Sequence, residues 1–149
     1  MRDILFRGKS VNDGNWVQGS LVVTTIEPAD DVPIKHYHIE DMTIGVFPNE
    51  FQSGLSETVD PETIGQFTGL TDKNGKKIFE GDIVAQNWYD HDEPSDDSFG
   101  EVVFCEYDCS FSVMDIQKNG IVPLGRCHAY HWEAEVIGNI NDNPELLEV

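Results

Sequence analysis

Val59-Asp-Pro-Glu-Thr-Ile-Gly-Gln-Phe-Thr-Gly-Leu-Thr-Asp-Lys-Asn-Gly-Lys-Lys-Ile-Phe-Glu-Gly-Asp-Ile-Val84 decides the fold, because turn residues and strand-forming runs alternate through it. In Asp72-Lys73-Asn74-Gly75, Asn and Gly tolerate the positive φ angles of a tight reversal, and Asp can accept hydrogen bonds from the turn's own backbone. A hairpin is expected there. Upstream, Thr63 to Thr68 is rich in β-branched and aromatic residues. Downstream, Lys77-Ile78-Phe79 meets a second turn at Glu80-Gly81 before Asp82-Ile83-Val84. A Gly-Asp pair between strands is how small SH3-like barrels turn a corner, Gly taking the unusual dihedral and Asp capping the turn. By that analogy a mainly β protein is expected: a small amino-terminal β lobe over residues 1–57 and an SH3-like β-barrel over 58–149, packed as one single domain.

Working outward, Trp16 to Ile26 has high β-propensity, with Gly19 placed for a bulge or a close backbone approach. Ile34 to Ile39 alternates, so His36 and His38 share one strand face; without a third ligand nearby they read as a partly exposed face and not as a metal site. Residues 42–57 read as a strand fragment and a loop. Asp90 to Ser98, acidic and containing Pro94, is expected to be the longest loop. It fails as a calcium loop because Pro94 and Ser95 hold the fifth and sixth positions, where the motif needs a ligand and a Gly. From Glu101 to Val113, one long strand would put Val103, Cys105, Tyr107, Cys109, Phe111 and Val113 on one face; a hairpin turning near Tyr107-Asp108 fits ordinary strand lengths better. Asn119-Gly120 and Pro123-Leu124-Gly125 bracket a short strand. Glu133 to Ile140 reads as another, and Asn143-Pro144 as the cap and first residue of a helical turn. Strands near both ends of the chain suggest termini that share one sheet system.

These residues also resemble the YopX protein family, which bacteriophages and prophages encode. Pro61 to Val84 is similar to the family's central signature, Arg7-Gly8-Lys9 with Gly14 to Leu21 to its opening segment, and Glu135 to Ile140 with Asn143 to Leu147 to its closing one. The resemblance covers nearly the whole chain. It implies a phage-encoded protein and supplies no activity, catalytic residue or ligand set.

Charge is the compositional outlier: 9 basic against 28 acidic residues give a formal net charge of −19. That excess keeps a protein dispersed and disfavours direct nucleic-acid binding or attachment to an anionic membrane. The amino terminus lacks an apolar signal region and no run approaches the roughly 20 apolar residues of a membrane span, so a cytoplasmic protein is expected. Three cysteines fit reduced thiols better than a disulfide framework.

Motifs for catalysis are wanting. Gly69 to Lys77 has five residues between its glycines and Lys77 where a phosphate loop needs Ser or Thr, and it lies in the expected hairpin. Cys105, Cys109, Cys127, His128 and His131 loosely resemble a zinc-ligand pattern, with Cys127, His128 and His131 the weak metal candidates; buried thiols and half-exposed histidines account for them better. Lys73, Lys76 and Lys77 form a basic spot at the hairpin tip, a candidate docking tip on an acidic protein. The expectation is a non-enzymatic protein without catalytic residues or cofactor, acting on an unidentified host or phage protein. An acidic DNA mimic and a metal-dependent enzyme with a loop-assembled site are the alternatives. Exposed sheet edges leave homo-oligomerisation open.

Overall fold

The computed structural model describes residues 3–28, 32–41, 55–91, 93–125 and 131–148. Among them are eleven β-strands and two short 3-10 helices. The protein is mainly β, every strand pair among the described residues is antiparallel, and the chain divides into two compact units, Met1–Gln66 and Phe67–Val149.

In the first unit, β1 (Phe6–Lys9) lies between β2 (Trp16–Ile26) and the start of β5 (Gly65–Thr71), and β3 (Ile34–Asp41) and β4 (Leu55–Thr58) continue the sheet beyond β2. Ile39 and Val59 are buried in this unit. Arg7 is buried too, its guanidinium carbon 4.7 Å from the centre of the Trp16 ring, an arrangement that keeps a cation beside apolar surface through the ring quadrupole. Gly19 is the close approach expected from its place in the strand, since a Cβ there would collide with the carbonyl oxygen of Glu40.

The second unit contains the rest of β5, then β6 (Lys77–Phe79), β7 (Asp82–Asp90), β8 (Glu93–Cys105), β9 (Ser110–Asp115), β10 (Gly120–Pro123) and β11 (His131–Asn139). The sheet order is β10-β9-β8-β7-β11: a four-strand meander whose first strand also takes the last. Ile78, Val84, Val102, Val113 and Ala134 form its core, packed by Leu70, Leu124, Trp132 and Val136. The decisive sequence stretch folds as read. Asp72 Oδ1 accepts from the backbone N–H groups of Asn74 and Lys76 at 2.8 and 2.9 Å, closing the β5–β6 hairpin. Gly81 takes φ +76°, and Asp82 Oδ2 accepts from the Phe79 N–H at 2.8 Å.

Four expectations change. Residues 93–98 form the beginning of β8 instead of a loop, with Asp90 paired opposite Glu93; cross-strand pairing overrides the weak local β-propensity of Pro, Ser and Asp. The second sheet is open: among the described residues no pair joins β10 to β11, and β10 is a four-residue strand ending at Pro123, which has no N–H to extend a ladder. The carboxy-terminal turn, Pro144–Leu147, is a 3-10 helix whose Asn143 makes no side-chain capping bond. The terminal strands β1 and β11 belong to different sheets.

Candidate protein-interaction surface

The hairpin between β8 and β9 fixes which side chains face out. Its turn holds four residues, so Cys105 pairs with Ser110, Val103 with Ser112 and Glu101 with Met114. Odd positions of β8 therefore share a face with even positions of β9. Val102 and Val113 point into the core, while Val103, Ser112 and Met114 stand on the other face. The single-strand alternation, which grouped Val103 with Val113, fails because the turn switches the parity.

On that outer face one lateral row crosses four strands: Ile83 opposite Glu101, Glu101 opposite Met114, and Met114 opposite Ile121. Neighbouring strands are about 4.8 Å apart, so the row is about 14 Å long. Ile83 is buried, Glu101 is partly buried, and Met114 and Ile121 are 48 % and 54 % exposed. Phe99 and Val103, both partly buried, flank Glu101 along β8 on the same face. Among the described residues no hydrogen bond or ion pair reaches the Glu101 carboxylate, and burial beside these apolar neighbours pushes its pKa up. Asp13, Glu57, Asp72, Asp96 and Asp108, by contrast, are pushed down by bonding partners. Ser112, one step from Met114 along β9, is fully buried with a hydroxyl that finds no partner.

The lysines of the expected docking tip, Lys73, Lys76 and Lys77, are all exposed, and each has a neighbour in its own unit. Lys73 pairs with Glu135 of β11, and its backbone N–H bonds the Ala134 carbonyl at 2.8 Å, which ties the turn to the sheet. Lys77 lies 5.6 Å from the centre of the Phe67 ring. Lys76 lies near enough to Asp72 for its charge to help hold that carboxyl down. The turn is anchored, and much of its positive charge is answered locally.

Of the metal candidates, Cys127 and His128 lie outside the described residues. His131 is exposed, with Nε2 3.2 Å from Glu133 Oε1 and its ring against Tyr89. His36 and His38 share a face as expected, their rings stacked with centroids 6.3 Å apart. Cys109 stands in the β8–β9 turn and bonds the Glu106 carbonyl at 3.6 Å, and Cys105 ends β8. Both thiols are free. No cluster of three or more His, Cys, Asp or Glu side chains able to hold a metal occurs among the described residues. No described helix is long and apolar enough to cross a membrane.

Sequence reading overlooked Glu101, Met114 and Ile121. The available signal was the turn length between Cys105 and Ser110, which decides whether Glu101 falls beside Met114 or across the sheet from it.

The YopX protein family profile matches residues 5–148. The chain belongs to the YopX family. Among solved structures, the crystal structure of protein EF1440 from Enterococcus faecalis is similar, with a TM-score of 0.51 and 27 % sequence identity over 99 % of this chain and 99 % of that one. Both matches run along nearly the whole length of the chain. A search of curated proteins finds no match.

Proposed function

We propose that this YopX-family chain is a phage- or prophage-derived protein that works in the bacterial cytoplasm by binding another protein, without catalysing a reaction. The observation that carries the reading is the outer face of the second sheet, where Met114 and Ile121 stay about half exposed beside an unpaired Glu101. Apolar side chains side by side in neighbouring strands around a desolvated charge are what a contact surface presents before its partner arrives. The displaced carboxylates elsewhere serve turns and hairpins, as Asp72 does, which gives them structural work. The order β11-β7-β8-β9-β10, a meander with its last strand returned to its first, supports reading the second unit as an opened SH3-like sheet.

Affinity purification from producing bacteria tests this, using the wild type beside a Met114→Asp/Ile121→Asp double variant. The wild type is expected to retain a reproducible protein partner that the variant loses while keeping its β circular dichroism and melting temperature. No partner, or the same partner on both, overturns the reading.

A further inference from the structure

Resting on that reading, we propose that the partner presents a cationic side chain, an arginine set among apolar residues, to Glu101, Met114 and Ile121, the accessible part of the row that the buried Ile83 closes. The argument is one of charge complementarity. Glu101 sits mid-row with apolar neighbours on both sides, and no described cation, hydroxyl or amide answers it. A carboxylate so placed is poorly hydrated and unpaired, an arrangement that costs the free protein stability and is relieved when a cation docks. Three of its nine basic residues are engaged elsewhere: Lys73 faces Glu135, Lys118 is held by Asp96 at 2.6 Å and Arg7 is buried against Trp16.

Guanidinium suits the site better than ammonium. It is the more weakly hydrated cation, so less is lost when it leaves water, and its flat faces pack on Met and Ile while its edge meets the carboxylate. A second copy is the poorer occupant, because two chains of −19 repel.

The test is selection of a random dodecapeptide display library on the immobilised full-length chain, with peptides rescreened on Glu101→Gln and on Met114→Asp. Peptides carrying Arg flanked by apolar residues are expected, weakened at least tenfold by either substitution. Glu101→Gln keeps the side-chain shape and removes the desolvated charge, so it should fold at least as stably as the wild type, which separates lost binding from lost structure. Peptides weakened by Met114→Asp but indifferent to Glu101→Gln would overturn the cationic partner and leave the surface standing. Peptides indifferent to both, or no enrichment at all, would overturn the surface as well. Enrichment of acidic peptides, or dimers by sedimentation that Glu101→Gln disrupts, would also contradict the proposal.

Discussion

Two carboxylates show what surroundings do to the same chemical group. Burial tends to raise the pKa of Asp72, but backbone N–H groups of Lys76, Val136 and Asn74, helped by the Lys76 charge, outweigh it and hold the carboxyl below its ordinary value of 3.8. Its stabilising contribution is therefore complete above that value and is lost as pH falls through the lower folded-state pKa. Asp72→Ala leaves those donors unanswered and should cost about 2–4 kcal/mol by urea unfolding at pH 7, with the gap to wild type narrowing in strong acid. Glu101 runs the other way. Its folded-state pKa lies above 4.5, so the folded form holds its proton more tightly and stability falls as pH rises through that window. Glu101→Gln should thus melt about 1–3 °C higher than wild type at pH 7, a gain kept small by solvent at a partly exposed site, and no higher below pH 4. Differential scanning calorimetry at the two pH values checks both sign and window. Asp72 was legible in the sequence because its partners are two and four residues away, whereas the surroundings of Glu101 come from three other strands.

Strands and hairpins reveal why some elements could be read and others could not. The β5–β6 hairpin and the Glu80-Gly81 turn are written in local residues with positive-φ tolerance, and they formed where expected. The first half of β8 has no such local signature: Glu93 to Ser98 is strand only because β7 pairs with it residue by residue. One buried polar knot holds these strands. Gln86, fully buried, donates through Nε2 to Ser98 Oγ at 2.9 Å and to the Pro123 carbonyl at 3.2 Å, and its Oε1 accepts from Trp132 Nε1 at 2.9 Å. Replacing Gln86 by Leu keeps the volume but strands those groups, and a loss of roughly 2–3 kcal/mol is expected in chemical denaturation. Backbone proximity sets a second limit: a Cβ at Gly100 of β8 would collide with the Met114 carbonyl of β9. Gly100→Ala should cost about 1–3 kcal/mol in the same assay, while Gly75→Asn, at an open turn position with φ +82°, should be nearly neutral.

At the scale of the whole molecule, the charge of −19 was plain from composition, and family membership followed from matched runs along the chain. The proposed surface was not legible, because it is made by lateral register across β7, β8, β9 and β10, and register is a property of the fold. Charge and surface also separate the competing readings of function. A DNA mimic would hold its target through a diffuse acidic field, so its binding would collapse between about 50 and 200 mM salt and yield to duplex DNA. A partner seated on the Glu101 row buries apolar area, and its retention should weaken no more than a few-fold over that range. The most direct measurement places a photo-crosslinking amino acid at position 121 in living bacteria and compares the yield of the adduct between the wild type and Glu101→Gln. One reproducible protein adduct is expected from position 121, reduced at least tenfold by the Glu101 change; equal adduct in both, or adducts only from control positions such as Ile26, would rule out docking on the Glu101 row.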